Sequence, residues 1–345
     1  MKPTHYELLI NGKVFPAAEI FDDLKNDLPH EGFTFEQFIQ SGFMKEVALQ
    51  IDPSNERDMT ANAQILFHAY SYHIGMGRTY EVTEPIAEML LNTKLDVDIR
   101  LVKSPFTEIQ IVVPPLLKLY NNITGMHDIW CIYVNFHETS DTDKLIKILC
   151  VGKANEKSMH ELDDALFYFK VPLTEGKVSE NLKRELENWH IDPNYGRFSC
   201  NTTYDEHIIP RLFYFVLNIL LYITSEHSDI RFIKSPYEDY KERLGRLKSS
   251  GKIKKLERRM EKESKISRYV IGSSIKLSSE ETDLYDAVKR AGPRIRFPVG
   301  GHWRMQWVGH KNEQTQKLTW VRPYLKGPEI AELIKNIGTL KMFST

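Results

Sequence analysis

The chain has 345 residues, 41% of them hydrophobic and 27% charged, with a formal net charge of −1. That composition excludes a disordered chain and a collagen-like repeat, and it supplies enough apolar residues for one large or two medium domains. Three cysteines, Cys131, Cys150 and Cys200, stand far apart without a CxxC spacing, which excludes a disulfide scaffold and gives no expectation of a cysteine zinc site or a redox pair.

At the N-terminus no apolar run reaches signal-peptide length, so the expected location is the cytoplasm. Tyr6 to Ile10 reads as a strand and Phe35 to Ile39 as a short helix. Met59, Ala63, Leu66 and Tyr70 recur at helical spacing, predicting a helix over Asn55 to Met76 that Gly75 and Gly77 stop. Ile86, Met89 and Leu90 predict a second helix over Tyr80 to Leu91, so the two would form an N-terminal helical pair. After Asn92 the period becomes extended. Val97 to Leu101, Thr107 to Val113, Ile129 to Phe136, Leu145 to Val151 and Leu166 to Val171 are rich in Ile, Val and aromatic residues, and predict a central, mainly antiparallel sheet. Ser179 to Trp189 returns to a helix. Leu212 to Thr224 is nearly all apolar apart from Asn218, but its thirteen residues fall short of the roughly 20 a bilayer requires. It is expected to cover the sheet as a core helix, with no membrane contact. Segregated helices and strands give an α+β fold class.

The small net charge hides a polarity along the chain. Residues 1–240 carry 22 Lys and Arg against 36 Asp and Glu, a net of −14, whereas residues 241–345 carry 24 against 11, a net of +13. This division predicts an acidic core domain over 1–240, a basic linker arm over 241–266 and a basic C-terminal unit over 267–345, with either an anionic partner such as RNA or DNA or mutual neutralisation of the two halves across an internal interface. In the arm, Ile253, Leu256 and Met260 make one thin helical seam, and Ser249, Ser250 and Gly251 break it in two. Such a segment is a solvated helix or a phosphate-docking arm.

The last unit opens with a predicted strand at Tyr269 to Leu277, a helix over Glu280 to Arg290 and a strand start at Arg294 to Phe297. It continues into Gly300-Gly301-His302-Trp303-Arg304-Met305-Gln306-Trp307-Val308-Gly309-His310, a polar loop, and Lys317 to Pro323, which read together as a hairpin. Residues 289–326 hold nine Lys and Arg against the single Glu313, and three of the chain's five tryptophans. Cations that hold a phosphate backbone beside aromatic faces that stack bases are what single-stranded nucleic acid requires. Arg294, Arg296, His302, Trp303, Arg304, Trp307, Trp320 and Arg322 are therefore the candidate nucleic-acid-binding residues. On an extended arm, Trp303, Met305 and Trp307 share one face and His302, Arg304 and Gln306 the other, so the tryptophan face serves equally well as core packing. His302 and His310 are candidate acid and base for a metal-independent ribonuclease. No Walker loop, GxGxxG or HExxH occurs, so no cofactor and no metal is expected.

The run Gly301, His302, Trp303, Trp307 and Gly309, answered by Trp320 and Pro323 on the return arm, resembles the C-terminal signature of the second family of type V-A anti-CRISPR proteins and their phage and plasmid relatives. The Tyr72 to Arg78 cluster, a strand like Ile129 to Val134 and an apolar helix like Leu212 to Thr224 follow the same order upstream. The resemblance implies a mobile-element inhibitor, at work in a bacterial host, that recognises the N-terminal peptide of an effector nuclease during translation and causes loss of its mRNA. Its partners would be RNA or the translating ribosome, together with that peptide. Two readings from the residues stay beside it: the hairpin-histidine ribonuclease, and a phage structural or interaction protein.

Overall fold

The computed structural model describes residues 2–10, 21, 24–25, 28, 33–42, 44, 56–75, 77–121, 124–140, 143–154, 163–173, 175–191, 202–226, 228–275, 297–310 and 314–326. In chain order these form α1 (His5–Ile10), α2 (Phe35–Gln40), α3 (Glu56–Ile74), β1 (Arg78–Val82), α4 (Glu84–Leu91), β2 (Glu108–Val112), β3 (Lys118–Asn121), β4 (Gly125–Ser140), β5 (Asp143–Lys153) and β6 (Asp163–Pro172). The order continues with α5 (Val178–Ile191), α6 (Thr202–Thr224), β7 (Ile230–Ile233), α7 (Tyr237–Arg246), α8 (Ser250–Met260), β8 (Arg268–Ile271), β9 (Phe297–Val299), β10 (His302–Val308), β11 (Thr315–Val321) and β12 (Tyr324–Lys326).

An eight-stranded sheet in the order β6-β5-β4-β2-β1-β8-β7, with β3 paired to β4, forms the middle layer. Its pairs are antiparallel except at β1, which runs parallel to both β2 and β8. Side chains alternate across the pleat, so one sheet serves two cores. Ile132 and Val134 of β4, with Ile146, Ile148 and Cys150 of β5, face the core built on α4 and α6. Cys131 and Tyr133, with Leu149 and Val151, face the core built on α1 and α3. This is the expected α+β class with helices on both sheet faces. The apolar segment His207–Thr224 is long and apolar enough to cross a bilayer, yet 67% of it is buried inside the protein, so it is the core helix the sequence predicted.

Four local expectations need correction. Tyr6 to Ile10 is helical because Thr4 and Glu7 form a capping box: the Thr4 N–H donates to Glu7 Oε2 at 2.9 Å and the Glu7 N–H to Thr4 Oγ1 at 3.2 Å. Val97 to Leu101 is not a strand. The Asp98 carboxylate takes the Arg100 N–H at 2.9 Å and turns Ile99–Leu101 into a short 3-10 helix. The helical pair is a helix, a strand and a helix, since Pro85 in its first turn starts α4 only after Thr83, while Arg78–Val82 is extended. The helices α3 and α4 then belong to opposite faces of the sheet. Finally, β8 lies within the central sheet between β1 and β7, so the sheet draws strands from both sides of the basic arm. The predicted helix over 280–290 lies outside the described residues.

The α1 face of the sheet carries buried polar chemistry. Glu7 accepts hydrogen bonds from Ser264 Oγ and from the Lys265 and Ile266 N–H groups, tying α1 to the segment that enters β8. His5 Nδ1 meets the Tyr133 hydroxyl at 2.9 Å, and Gln110 Nε2 donates to the same hydroxyl at 2.9 Å. Burial pushes the His5 imidazole down to about 4. Beside it, His68 Nδ1 and Glu108 Oε1 lie 2.9 Å apart, and Asn135 Nδ2 donates to Glu108 Oε2. Burial raises the Glu108 carboxyl above its ordinary range, while His68 acts against that rise.

Candidate functional site

The C-terminal hairpin forms as its alternation predicts. Trp303 pairs with Trp320, Met305 with Leu318 and Trp307 with Gln316, on one face; His302 with Val321, Arg304 with Thr319 and Gln306 with Lys317, on the other. Gly309 sits at φ +110°, a conformation open to glycine and costly for other residues, where the chain leaves β10.

The root of the hairpin is locked to the body. The Lys94 N–H donates to the Gly301 carbonyl at 2.7 Å, and Lys94 bridges in parallel with His302. A Cβ on Gly301 would lie 2.5 Å from Thr93 Oγ1 and 3.2 Å from Pro323 Cδ, so only glycine permits this approach. Trp303 is 8% exposed and its indole N–H donates to Asn218 Oδ1 at 2.8 Å. Asn218 Nδ2 in turn donates to the Leu90 and Thr93 carbonyls at 2.9 and 3.1 Å, at the end of α4. The half-buried Trp320 donates to Thr93 Oγ1 at 3.2 Å and packs edge-on to Tyr222, centroids 5.2 Å apart. Hairpin root and α6 enclose a cleft of about 420 Å³, lined among others by Leu101, Tyr222, Glu226, Trp303, Trp320 and Arg322.

Towards its tip the same hairpin face leaves the body. Met305 is 46% and Trp307 59% exposed, and Arg304, Gln306 and His310 are exposed as well. Among the described residues, Arg304 Nη2 reaches only Gln306 Oε1, at 3.3 Å. Lys317 is held by Glu226, Nζ to Oε1 2.5 Å. Arg322 is exposed near Asp229; burial opposes ionisation of that carboxyl, but donors on Ser274 and Ser273, with the Arg322 charge, hold it below its ordinary range.

The eight sequence candidates therefore divide. Arg294 and Arg296 lie outside the described residues. Trp303 is a correction: a stacking platform needs an open ring face, and this ring is core. Trp320 is half-buried with its N–H engaged. Arg304, Trp307 and Arg322 are exposed, and His302 is half-buried at the root, its Nδ1 3.4 Å from the Gly300 carbonyl. His302 begins β10 and His310 follows its end, which at about 3.3 Å per residue separates them by on the order of 20 Å. Acid and base on one phosphate must lie within hydrogen-bond reach of it, so these two do not form a catalytic pair. Sequence reasoning missed Thr93 and took Asn218 as an interruption. A lone amide inside an apolar helix is itself the signal, because a buried amide requires partners.

Most of the signature thus anchors the hairpin, leaving Trp307 as its exposed aromatic member. The family model described as "AcrVA2-like: Anti-CRISPR type V subtype A2 family" matches residues 80–327. The solved structure "Crystal structure of AcrVA2" is similar to this chain with a TM-score of 0.50 at 12% identity, covering 93% of this chain and 99% of that one, a likeness of fold. No curated protein matches. Thr93, Asn218 and every residue of the hairpin lie inside the matched span, and by that match the chain belongs to the AcrVA2-like, anti-CRISPR type V subtype A2 family.

Proposed function

We propose that this anti-CRISPR protein lowers production of a CRISPR effector nuclease, by recognising the N-terminal peptide of the nascent nuclease and causing loss of its mRNA, with the hairpin tip contacting RNA or the ribosome. The observation that carries the RNA contact is the tip itself: Trp307, 59% exposed, stands on a rigidly rooted hairpin with the exposed Arg304 on the opposite strand face. Leaving a large indole open costs solvation, and base stacking on it recovers roughly 1 to 3 kcal/mol per base. The net charge of −14 over residues 1–240 supports the other half of the reading, since it favours a basic peptide.

Ribosome profiling of host cells expressing the chain is the test. One effector message should be depleted while the others hold, and Trp307→Ala should restore it in part. Unchanged message levels, with nuclease activity inhibited all the same, would refute the reading in favour of direct inhibition.

A further inference from the structure

The basic arm folds as two short helices. Ile253, Leu256 and the buried Met260 form the less exposed side of α8, and the helix lies against α7, where the Arg259 guanidinium lies 5.0 Å over the Tyr240 ring. What remains on the outward side of α8 is cationic. Lys252, Lys254, Lys255 and Arg258 are all exposed, and at 100° per residue they cover about 160° of the helix. None of the four has an acidic partner within 4.0 Å among the described residues.

This helix is arranged against its own stability. Lys254 and Arg258 are like charges four residues apart; Lys252 and Lys255, then Lys255 and Arg258, are three apart, and each pairing is repulsive. No acid occupies the first turn, and Ser249 at the cap position makes no side-chain capping bond. By contrast α7 has Glu238 and Asp239 in its first turn. Glu257 stands at the edge of this face and Arg259 pairs with Glu263, but among the described residues the four outward cations have no such partner, and a face of that kind is complementary to a polyanion that supplies the counter-charge.

We propose that the outward face of α8 is a docking surface for the phosphate backbone of double-stranded RNA. It is a separate element from the hairpin and rests on the proposed function only in the choice of RNA over DNA. The four side chains carry charge and no aromatic ring, so they hold phosphates without stacking bases, which suits a duplex whose bases are already stacked. A lipid surface fits poorly, because an interfacial helix must present its apolar seam and here Met260 is buried and Ile253 and Leu256 are part-buried. An acidic protein partner fits poorly too, since no large apolar anchor stands among the charges.

The test uses the full chain and a variant with Lys252→Gln, Lys254→Gln, Lys255→Gln and Arg258→Gln, measuring affinity for a blunt 20-base-pair RNA duplex across a salt series. The parent should bind, with affinity falling as salt rises. The variant should lose on the order of 100-fold at 0.1 M salt, and its log–log slope should flatten by roughly three contacts. Because the substitutions remove repulsion, its melting temperature should hold or rise. A second variant, Arg258→Lys, keeps the charge and should bind nearly as the parent does. Trp307→Ala should leave duplex binding intact, so a failure of the hairpin reading is distinguishable from a failure here. Any of four results would overturn the proposal: no duplex binding by the parent, equal binding by parent and quadruple variant, a DNA duplex bound in preference to RNA, or equal competition by polyglutamate or by anionic phosphatidylserine vesicles.

Discussion

Two tryptophans four residues apart on one strand face have opposite physical roles. Trp303 fills a core site and satisfies Asn218; Trp307 is mostly in water. Trp303→Ala should therefore destabilise the fold by roughly 3 to 5 kcal/mol, seen as a lowered melting temperature. Trp307→Ala should leave melting unchanged and weaken single-stranded RNA binding about 10- to 100-fold, without altering the salt slope. Asn218→Leu is close in size but orphans the Trp303 N–H and removes the donor from two carbonyls, so it should cost a few kcal/mol, at roughly 1 to 3 for each buried group left unpaired. His5 gives a pH signature. Its folded value is depressed to about 4 from 6.5, so the unfolded chain binds more protons between these values and folding loses stability as pH falls through that window. Glu108, raised by burial, acts in the opposite sense, so the comparison must be with His5→Asn: the parent's melting temperature should drop more between pH 6.5 and 4 than the variant's.

Among the elements, the α7–α8 arm offers trypsin its best substrate. Residues 247–249 separate the two helices with extended backbone at Leu247 and Ser249, and Arg246 and Lys248 flank or lie within that break. First cleavage among the described residues is expected after Arg246 or Lys248, detected by mass of the fragments. The strands β2, β4, β5 and β6 and the helix α6 are legible in sequence because each is rich in the apolar Ile, Val, Leu or Phe of a buried element, and β2 lies in a run of extended period. The strand β1 is not. Its five residues sit between two helices, so a reading by helical period absorbs them into the start of α4. The capping box that starts α1 is itself written in the sequence, as Thr4 and Glu7 three residues apart. At the hairpin the alternation placed Trp303 and Trp307 correctly on one face, yet alternation carries no record of where the supporting α6 surface stops. That boundary is set by Thr93 and Asn218, from elements at least 85 residues away in sequence.

For the whole molecule, the position of β8 decides what can be cut away. A chain ended at Met260 would lose β8, leaving one edge of β1 open and β7 without its neighbour. Such a truncation should be poorly soluble and lack a cooperative melt, because an unpaired central strand exposes a row of backbone donors and acceptors. The same placement bears on how the molecule comes into being. Glu81 and Arg268, 187 residues apart, are joined by a 2.8 Å ion pair at the junction of β1 and β8. During synthesis, at about 5 to 20 residues per second, β1 leaves the ribosome on the order of ten seconds or more before the strand that completes it. For that interval the nascent chain carries a waiting gap in its sheet, and refolding of the intact protein should be slow, governed by this long-range closure rather than by the local β4–β5–β6 meander.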